Sequence, residues 1–221
     1  MKLVVEMSCV IDCEKLSLRE ANSRIKEAVH NGNEAVLTHA SELYGLASGL
    51  KNGEVTVRGN AGDYLGALNQ GARIVVEGDA GAFVGDNSRD GEIWVKGNVG
   101  EGLGMYAYGG VIVVSGDAGN AVAQMNKGGT IVIGGSVGDN VGLYMMDGRV
   151  VICGNAGKGL GHVMLRGAIY LDGALGSLGK NSEYEGITDG DLAFLRAMLE
   201  KYGLRANMRN FKKIVPASSR P

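Results

Sequence analysis

Aliphatic and β-branched residues fall in short runs along the chain, each bounded by glycine. The runs are Val55–Val57, Ile74–Val76, Ile93–Val95, Ile112–Val114, Ile131–Ile133, Val150–Ile152 and Ile169–Leu171, and corresponding positions lie 19 residues apart. Stiff χ1 angles and flanking glycines favour strands. Alternate side chains of a strand point to opposite faces. The first and third residues of each run therefore stack as two aliphatic columns facing an interior. A third column follows at Leu65, Val84, Leu103, Val122, Val141 and Leu160. A fourth, of smaller residues, is Ala61, Ala80, Val99, Ala118, Val137 and Ala156. A coil of strand, turn, short strand and turn satisfies all four at once.

Glycine keeps the same step. A Gly-x-x-Gly signature recurs from Gly59–Gly62 through Gly173–Gly176, and two further glycine columns run beside it. A fixed period of this length means a solenoid. Leucine-rich repeats need an Asn ladder that is absent, and hexapeptide helices need a six-residue sub-period. Helical repeats do not tolerate this much glycine. The pattern predicts an all-β fold, a right-handed single-stranded parallel β-helix of about seven 19-residue coils. Repeated turns with positive φ account for the glycines. Asn60, Asp79, Asn98, Asp117, Ser136 and Asn155 follow the first glycine of six signatures and can hydrogen-bond up the stack. No signature opens a long helix, so none reads as a phosphate cradle.

The flanks differ. An apolar run around Leu3-Val4-Val5 predicts a strand within residues 1–12. Ser17 and Glu20 have capping-box spacing, and Leu18, Ala21, Ile25, Ala28 and Val29 mark one face of a helix stopped by Gly32. Ala35 to Leu50 reads as a decayed first coil, with Val36 and Thr38 under Val55 and Val57, and Leu46 under Leu65. Thr188 and Asp191 cap a second helix with a stripe of Leu192, Leu195, Met198 and Leu199, ended by Gly203. Arg205, Arg209, Lys212, Lys213 and Arg220 make the tail basic, a solvated face or a partner contact. The organisation is thus an N-terminal strand and helix (1–34), a β-helix (35–185), and a C-terminal helix with basic tail (186–221).

Charge and chemistry narrow the function. The formal net charge of −2 gives no steering toward nucleic acid or anionic lipid, and aromatics at 5% are too few for base-stacking platforms. An odd cysteine count, no membrane-length apolar run and no signal-peptide core predict a cytoplasmic protein. Cys9, Cys13 and Cys153 do not make a four-ligand set, and His30, His39 and His162 lie in unrelated registers. The column Arg58, Glu77, Lys96, Ser115, Gly134, Cys153, Asp172 loses its charge midway and reads as surface pairing between coils. No catalytic, cofactor-binding or metal-binding residue is identified.

Two features point outward. The middle residues of the runs are Thr56, Val75, Trp94, Val113, Val132, Val151 and Tyr170, which are mostly apolar. A sheet apolar on both faces is covered on both, either by the two helices or by a partner. Met and Tyr also cluster at Met105, Tyr106, Tyr108, Met125, Tyr144, Met145, Met146 and Met164. They suit an adaptable contact surface or fill the core. The candidate docking residues are Trp94, Tyr106, Tyr108, Tyr144, Met145 and Tyr170.

Repeats such as Gly78-Asp79-Ala80-Gly81-Ala82-Phe83-Val84-Gly85, joined by segments such as Gly109-Gly110-Val111-Ile112-Val113-Val114, resemble the GXGXG domain, the C-terminal β-helix of the glutamate synthase large subunit. Ile11-Asp12-Cys13-Glu14-Lys15-Leu16-Ser17-Leu18-Arg19-Glu20-Ala21-Asn22 looks like the stand-alone version, a separate subunit in archaeal-type glutamate synthases and methylamine–glutamate N-methyltransferase-like complexes. Phe211-Lys212-Lys213-Ile214-Val215-Pro216 is similar to the domain's end. The resemblance implies a non-catalytic scaffold for glutamine-dependent amination of 2-oxoglutarate. FMN and an iron–sulfur cluster are then expected on partners, an FMN-binding glutamate synthase subunit and a glutamine amidotransferase subunit. Lys2 stands where an amidotransferase carries its nucleophilic cysteine. Formylmethanofuran dehydrogenase also has a component that shares the domain, and this is an alternative. A self-associating structural β-helix (a homo-oligomer) and a carbohydrate-acting β-helical enzyme are others.

Overall fold

In the computed structural model, which describes residues 8–218, the runs become the rungs of one sheet. The chain proceeds β1 (Ser8–Asp12), α1 (Leu18–His30), β2 (Glu34–Thr38), β3 (Glu54–Val57), β4 (Gln70–Val76) and β5 (Asp90–Val95). It continues β6 (Val111–Val114), β7 (Lys127–Ile133), β8 (Asp147–Ile152), β9 (Ala168–Leu171), β10 (Ser182–Glu185), α2 (Asp189–Tyr202) and β11 (Lys212–Pro216). The 11 strands lie in the order β1 to β9, then β11, then β10. Pairing is parallel from β1 to β9, as in a β-solenoid of about seven turns. Leu3-Val4-Val5, Lys2 and Arg220 lie outside the described residues.

From β3 to β9 the vertical register is the repeat itself: Val55 pairs with Ile74, Ile74 with Ile93, and so on to Ile169. A second side of each coil is a column of parallel bridges from Ala61 through Ala80, Val99, Ala118, Val137 and Ala156 to Leu175. All four aliphatic columns are buried in one continuous core.

The polar ladder forms with backbone donors. Asp79 N–H donates to Asn60 Oδ1 at 2.9 Å, Asn98 N–H to Asp79 Oδ1 at 2.7 Å, and the series ends with Ala174 N–H on Asn155 Oδ1 at 2.8 Å. A parallel ladder uses Asp63, Asn120 and Asp139, which receive the N–H groups of Ala82, Asp139 and Lys158. Most glycines of the two flanking columns have the expected positive φ, among them Gly66, Gly85, Gly91 and Gly110, as does Gly59, but these contacts explain the later signature glycines differently. Gly78 does not need a positive φ; a Cβ there would collide with Asn60 Oδ1 of the preceding rung.

The first coil is out of step with the others. Ala35 pairs with Val55 and Leu37 with Val57, one residue away from the expected partners Val36 and Thr38. One extra residue between Leu37 and Leu46 absorbs the difference. A one-residue slip exchanges the two faces of a strand, so Leu37 enters the core and Thr38 stays partly exposed.

The two helices do different work. Ser17 and Glu20 form the capping box of α1, whose Ala21, Ile25 and Ala28 close the N-terminal end of the main core. Only α2 covers the outer sheet face. Val113, Val132 and Val151 are fully buried there beneath Leu195, Leu199 and Tyr202, in a second core that includes Tyr170 and Phe211. The tail is more than a solvated face. β11 inserts antiparallel between β9 and β10, placing Ile214 in the main core and terminating the solenoid.

Candidate functional site

The third side of each coil carries residues in the left-handed region at every second position. Tyr64, Gly66 and Leu68 have φ of 57°, 64° and 59°; Asn140, Gly142 and Tyr144 repeat them at 60°, 69° and 52°. Their N–H groups alternate in direction. Tyr64 and Leu68 donate to Ala82 O and Asp86 O of the following rung, and Gly66 donates to Leu46 O of the preceding one. This alternation sends Leu65 inward and Leu68 outward, and it recurs in each coil. The resulting outer column is Leu68, Asn87, Tyr106, Met125, Tyr144 and Val163, with φ between 52° and 59° throughout. Non-glycine side chains in this region cost about 1 kcal/mol or more each. Leu68 and Tyr144 are nevertheless about half exposed to solvent (51% and 48%).

Neighbouring columns extend the surface. Tyr64 and Phe83 stack with centroids 4.8 Å apart. On the other flank Lys127 Nζ donates to Tyr108 Oη at 2.7 Å, lies 4.0 Å from the Tyr108 ring centroid and 5.9 Å from that of Tyr106. Arg89 approaches the same Tyr108 ring at 5.4 Å. The Lys127 hydrogen bond, with the two cations, holds the Tyr108 hydroxyl below its ordinary pKa. The third side is therefore an apolar and aromatic ridge edged by cations.

The six docking candidates separate. Tyr106, Tyr108 and Tyr144 share this ridge. Met145 is fully buried in the main core, because the direction reverses between neighbouring residues. Met164 is core filler in the same column. Trp94 and Tyr170 lie beneath α2 and are not free for a partner. Trp94 sits edge-on to Tyr202 at 5.4 Å and donates from Nε1 to Ser115 Oγ at 3.0 Å. Tyr170 is 2% exposed and donates its hydroxyl to Asp191 Oδ1 at 2.6 Å; burial and that carboxylate push its pKa up. Sequence reasoning missed Leu68, Tyr64 and Phe83. Leu68 stands in the register of Tyr106 and Tyr144, the one signal able to reveal it.

Two buried asparagines shape the corner between this ridge and the sheet. Asn126 Nδ2 donates to Gly129 O at 2.8 Å, and its Oδ1 accepts from Gly129 N–H at 2.9 Å and Gly128 N–H at 3.3 Å. Asn69 repeats the arrangement on Ala72 and Gly71. Both precede the strands whose register shifts at their start, β4 and β7.

No group of three or more His, Cys, Asp or Glu among the described residues is placed to hold a metal ion. The Cys153 thiol is pushed up to about 12 by burial, with Asp172 adding to the effect, and so is unreactive. His39 pairs with Asp12 at 2.9 Å on an exposed edge, which raises the imidazole pKa. No ion pair joins Arg58, Glu77 or Lys96 among the described residues. Pairing between coils falls instead on Arg73, which meets Glu54 at 3.7 Å and Glu92 at 3.2 Å.

A family model described as the GXGXG motif matches residues 7–217. No curated protein matches the chain.

Proposed function

The chain belongs to the GXGXG motif family, and from that premise we propose that it is a non-catalytic scaffold subunit of a glutamate synthase-type complex. In this reading an FMN-bearing partner aminates 2-oxoglutarate with ammonia that an amidotransferase partner releases from glutamine. The flavin and an iron–sulfur cluster belong to those partners. The observation that carries the reading is the ridge of Leu68, Tyr106, Tyr108 and Tyr144. Leu68, Tyr106 and Tyr144 are held there on strained turns by a hydrogen-bonded stack, while the apolar outer face of the sheet is already covered by α2. A rigid surface of this kind loses little entropy on docking.

Co-expression with an FMN-binding synthase subunit and an amidotransferase subunit, followed by size-exclusion chromatography, tests it. The wild-type chain should co-elute with a flavin-containing partner. The double variant Tyr106→Asp/Tyr144→Asp should lose the complex, since central aromatic anchors carry about 2 kcal/mol or more each, and should keep its circular dichroism and melting temperature. A complex that survives the double variant removes the ridge from the interface. A wild-type chain that binds neither subunit overturns the scaffold reading. A stable homo-oligomer then favours self-association, and capture of a molybdenum or tungsten enzyme favours the formylmethanofuran dehydrogenase-like alternative.

A further inference from the structure

At the C-terminal end of the solenoid, far along the chain from the tyrosine ridge, a groove of about 650 Å³ opens between β10, the start of α2 and the segment that leads into β11. Its lining is divided by chemistry. Ile187, Leu192, Met208 and Phe211 supply apolar surface, and Tyr184, 55% exposed, stands beside them as an aromatic wall. Three cationic residues, Arg209, Lys212 and Lys213, also line it, with one carboxylate, Glu185. The charge of Lys213 is already matched by Glu185 at 2.7 Å and Asp191 at 3.1 Å. No ion pair engages Arg209 or Lys212 among the described residues.

The groove is built before any ligand arrives. Asn207 N–H donates to Asp172 Oδ2 at 2.8 Å and Asn210 N–H to Asn207 O at 2.9 Å, which fixes the turn carrying Met208 and Arg209. Lys212 Nζ is held by Gly173 O at 3.0 Å, which aligns the ammonium without neutralising it. The size lies within the range of small-molecule sites, and an apolar floor with a few placed charges is their usual composition. An ammonium and a guanidinium without counter-charge favour an anion.

We propose that this groove binds a small organic anion with a flat apolar body, an aromatic or heteroaromatic carboxylate or phosphate. The body lies against Met208, Phe211 and Tyr184, and the head meets Arg209 and Lys212. Such a ligand bridges β10, α2 and the final segment, so it also ties down the cap of the solenoid and raises its melting temperature by mass action.

Three probes of one shape test the proposal by calorimetric titration: 1-naphthoate, 1-naphthyl phosphate and neutral 1-naphthalenemethanol. At least one anion should bind saturably at one site, about tenfold or more tighter than the alcohol. Whichever anion binds tighter assigns the head group. Arg209→Ala/Lys212→Ala should cost that anion about tenfold or more and leave the alcohol unchanged. Both positions are exposed, so the variant should keep the wild-type fold, which its circular dichroism checks. Met208→Asp should weaken all three probes. Binding no tighter for the anions than for the alcohol, or anion affinity unchanged in the double variant, overturns the proposal. The chain carrying Tyr106→Asp/Tyr144→Asp should bind the anion as wild type does, which separates this site from the docking ridge.

Discussion

Asn126 is fully buried and spends its amide on three hydrogen bonds to the backbone of Gly128 and Gly129. Its replacement by Ala removes all three bonds at a buried corner, where loss of a hydrogen-bond partner costs about 1–3 kcal/mol. Asn126→Ala should therefore lower the urea-unfolding free energy by about 2 kcal/mol or more, and Asn69→Ala should do the same. Ser88→Ala, in the same column, should cost under about 0.5 kcal/mol, since its hydroxyl reaches Gly109 O only at 3.5 Å. Leu68 presents the opposite case, a side chain on a backbone that disfavours it. Asn87 occupies the next position of that column at φ 55°, and Asn tolerates this region better than Leu. Leu68→Asn should accordingly hold or raise stability, by up to about 1 kcal/mol, in chemical denaturation. A loss beyond about 1 kcal/mol would mean that Leu68 contributes more by packing than its torsion costs. Neighbours such as Tyr144 and Met145 could not be told apart beforehand. Both are large and apolar, and only the alternation of left-handed residues decides which one faces the core.

Helix α2 is clamped to the sheet at both ends. Near its start Asp191 accepts from Tyr170, Thr188 and Lys213; near its end Lys201 and Tyr202 both donate to Glu92 Oε2, at 2.6 and 2.8 Å. Burial pushes both carboxyls up. For Asp191 the Tyr170 and Thr188 hydrogen bonds outweigh it, and for Glu92 those from Lys201 and Tyr202 do, so each sits below its ordinary value. A depressed folded pKa means that the stabilisation is complete above the ordinary carboxylate range near about pH 4 and is lost as pH falls through the folded values. Trp94, the only tryptophan, rests on Tyr202 and reports the docking of α2. Its fluorescence should hold constant from neutrality down to about pH 4 and change below it. Asp191→Asn should flatten that response and cost about 3 kcal/mol at neutral pH. A variant with the wild-type acid profile would locate the sensitivity elsewhere. The clamp also marks the limit of what the sequence discloses. The rungs were legible because Ile74, Ile93 and Ile112 repeat in one register. β11 was not, because Lys212–Pro216 pairs antiparallel with β9 and β10 and carries no copy of the repeat. The division of labour between α1 and α2 was hidden for a related reason, since both have an apolar stripe and only tertiary placement assigns one to the end and the other to the face.

Strand pairing joins each coil only to its neighbours, so stability outside the region bridged by α2 is close to a sum of coil and interface contributions. The step of 19 residues then becomes a mechanical constraint that can be tested by subtraction. Removing residues 61–79 joins Asn60 to Ala80 and deletes one full coil. Val55 then lies beside Ile93, Asn60 beside Asn98, and every column closes up with like residues. Glu92 and its clamp with Lys201 and Tyr202 remain intact. This shortened chain should unfold in one cooperative transition, with reduced stability and a length smaller by about 4.8 Å in solution scattering. Removing residues 61–78 instead, one residue fewer, leaves the following coils one position out of register with the preceding ones. A slip of one residue turns core positions to solvent, and where a whole strand of this protein is slipped it sits at the N-terminal edge of the stack, between β2 and β3, where one extra residue absorbs it. In the middle of the stack the shifts at the starts of β4 and β7 are local and leave the rest of each strand in register, whereas this deletion displaces the ladders through Asn60, Asp79 and Asn98, which need each N–H beside its acceptor. The second deletion should lose cooperative melting or aggregate. Equal stability of the two shortened chains would show that the coils tolerate independent phases, and that the vertical ladders do not set the architecture.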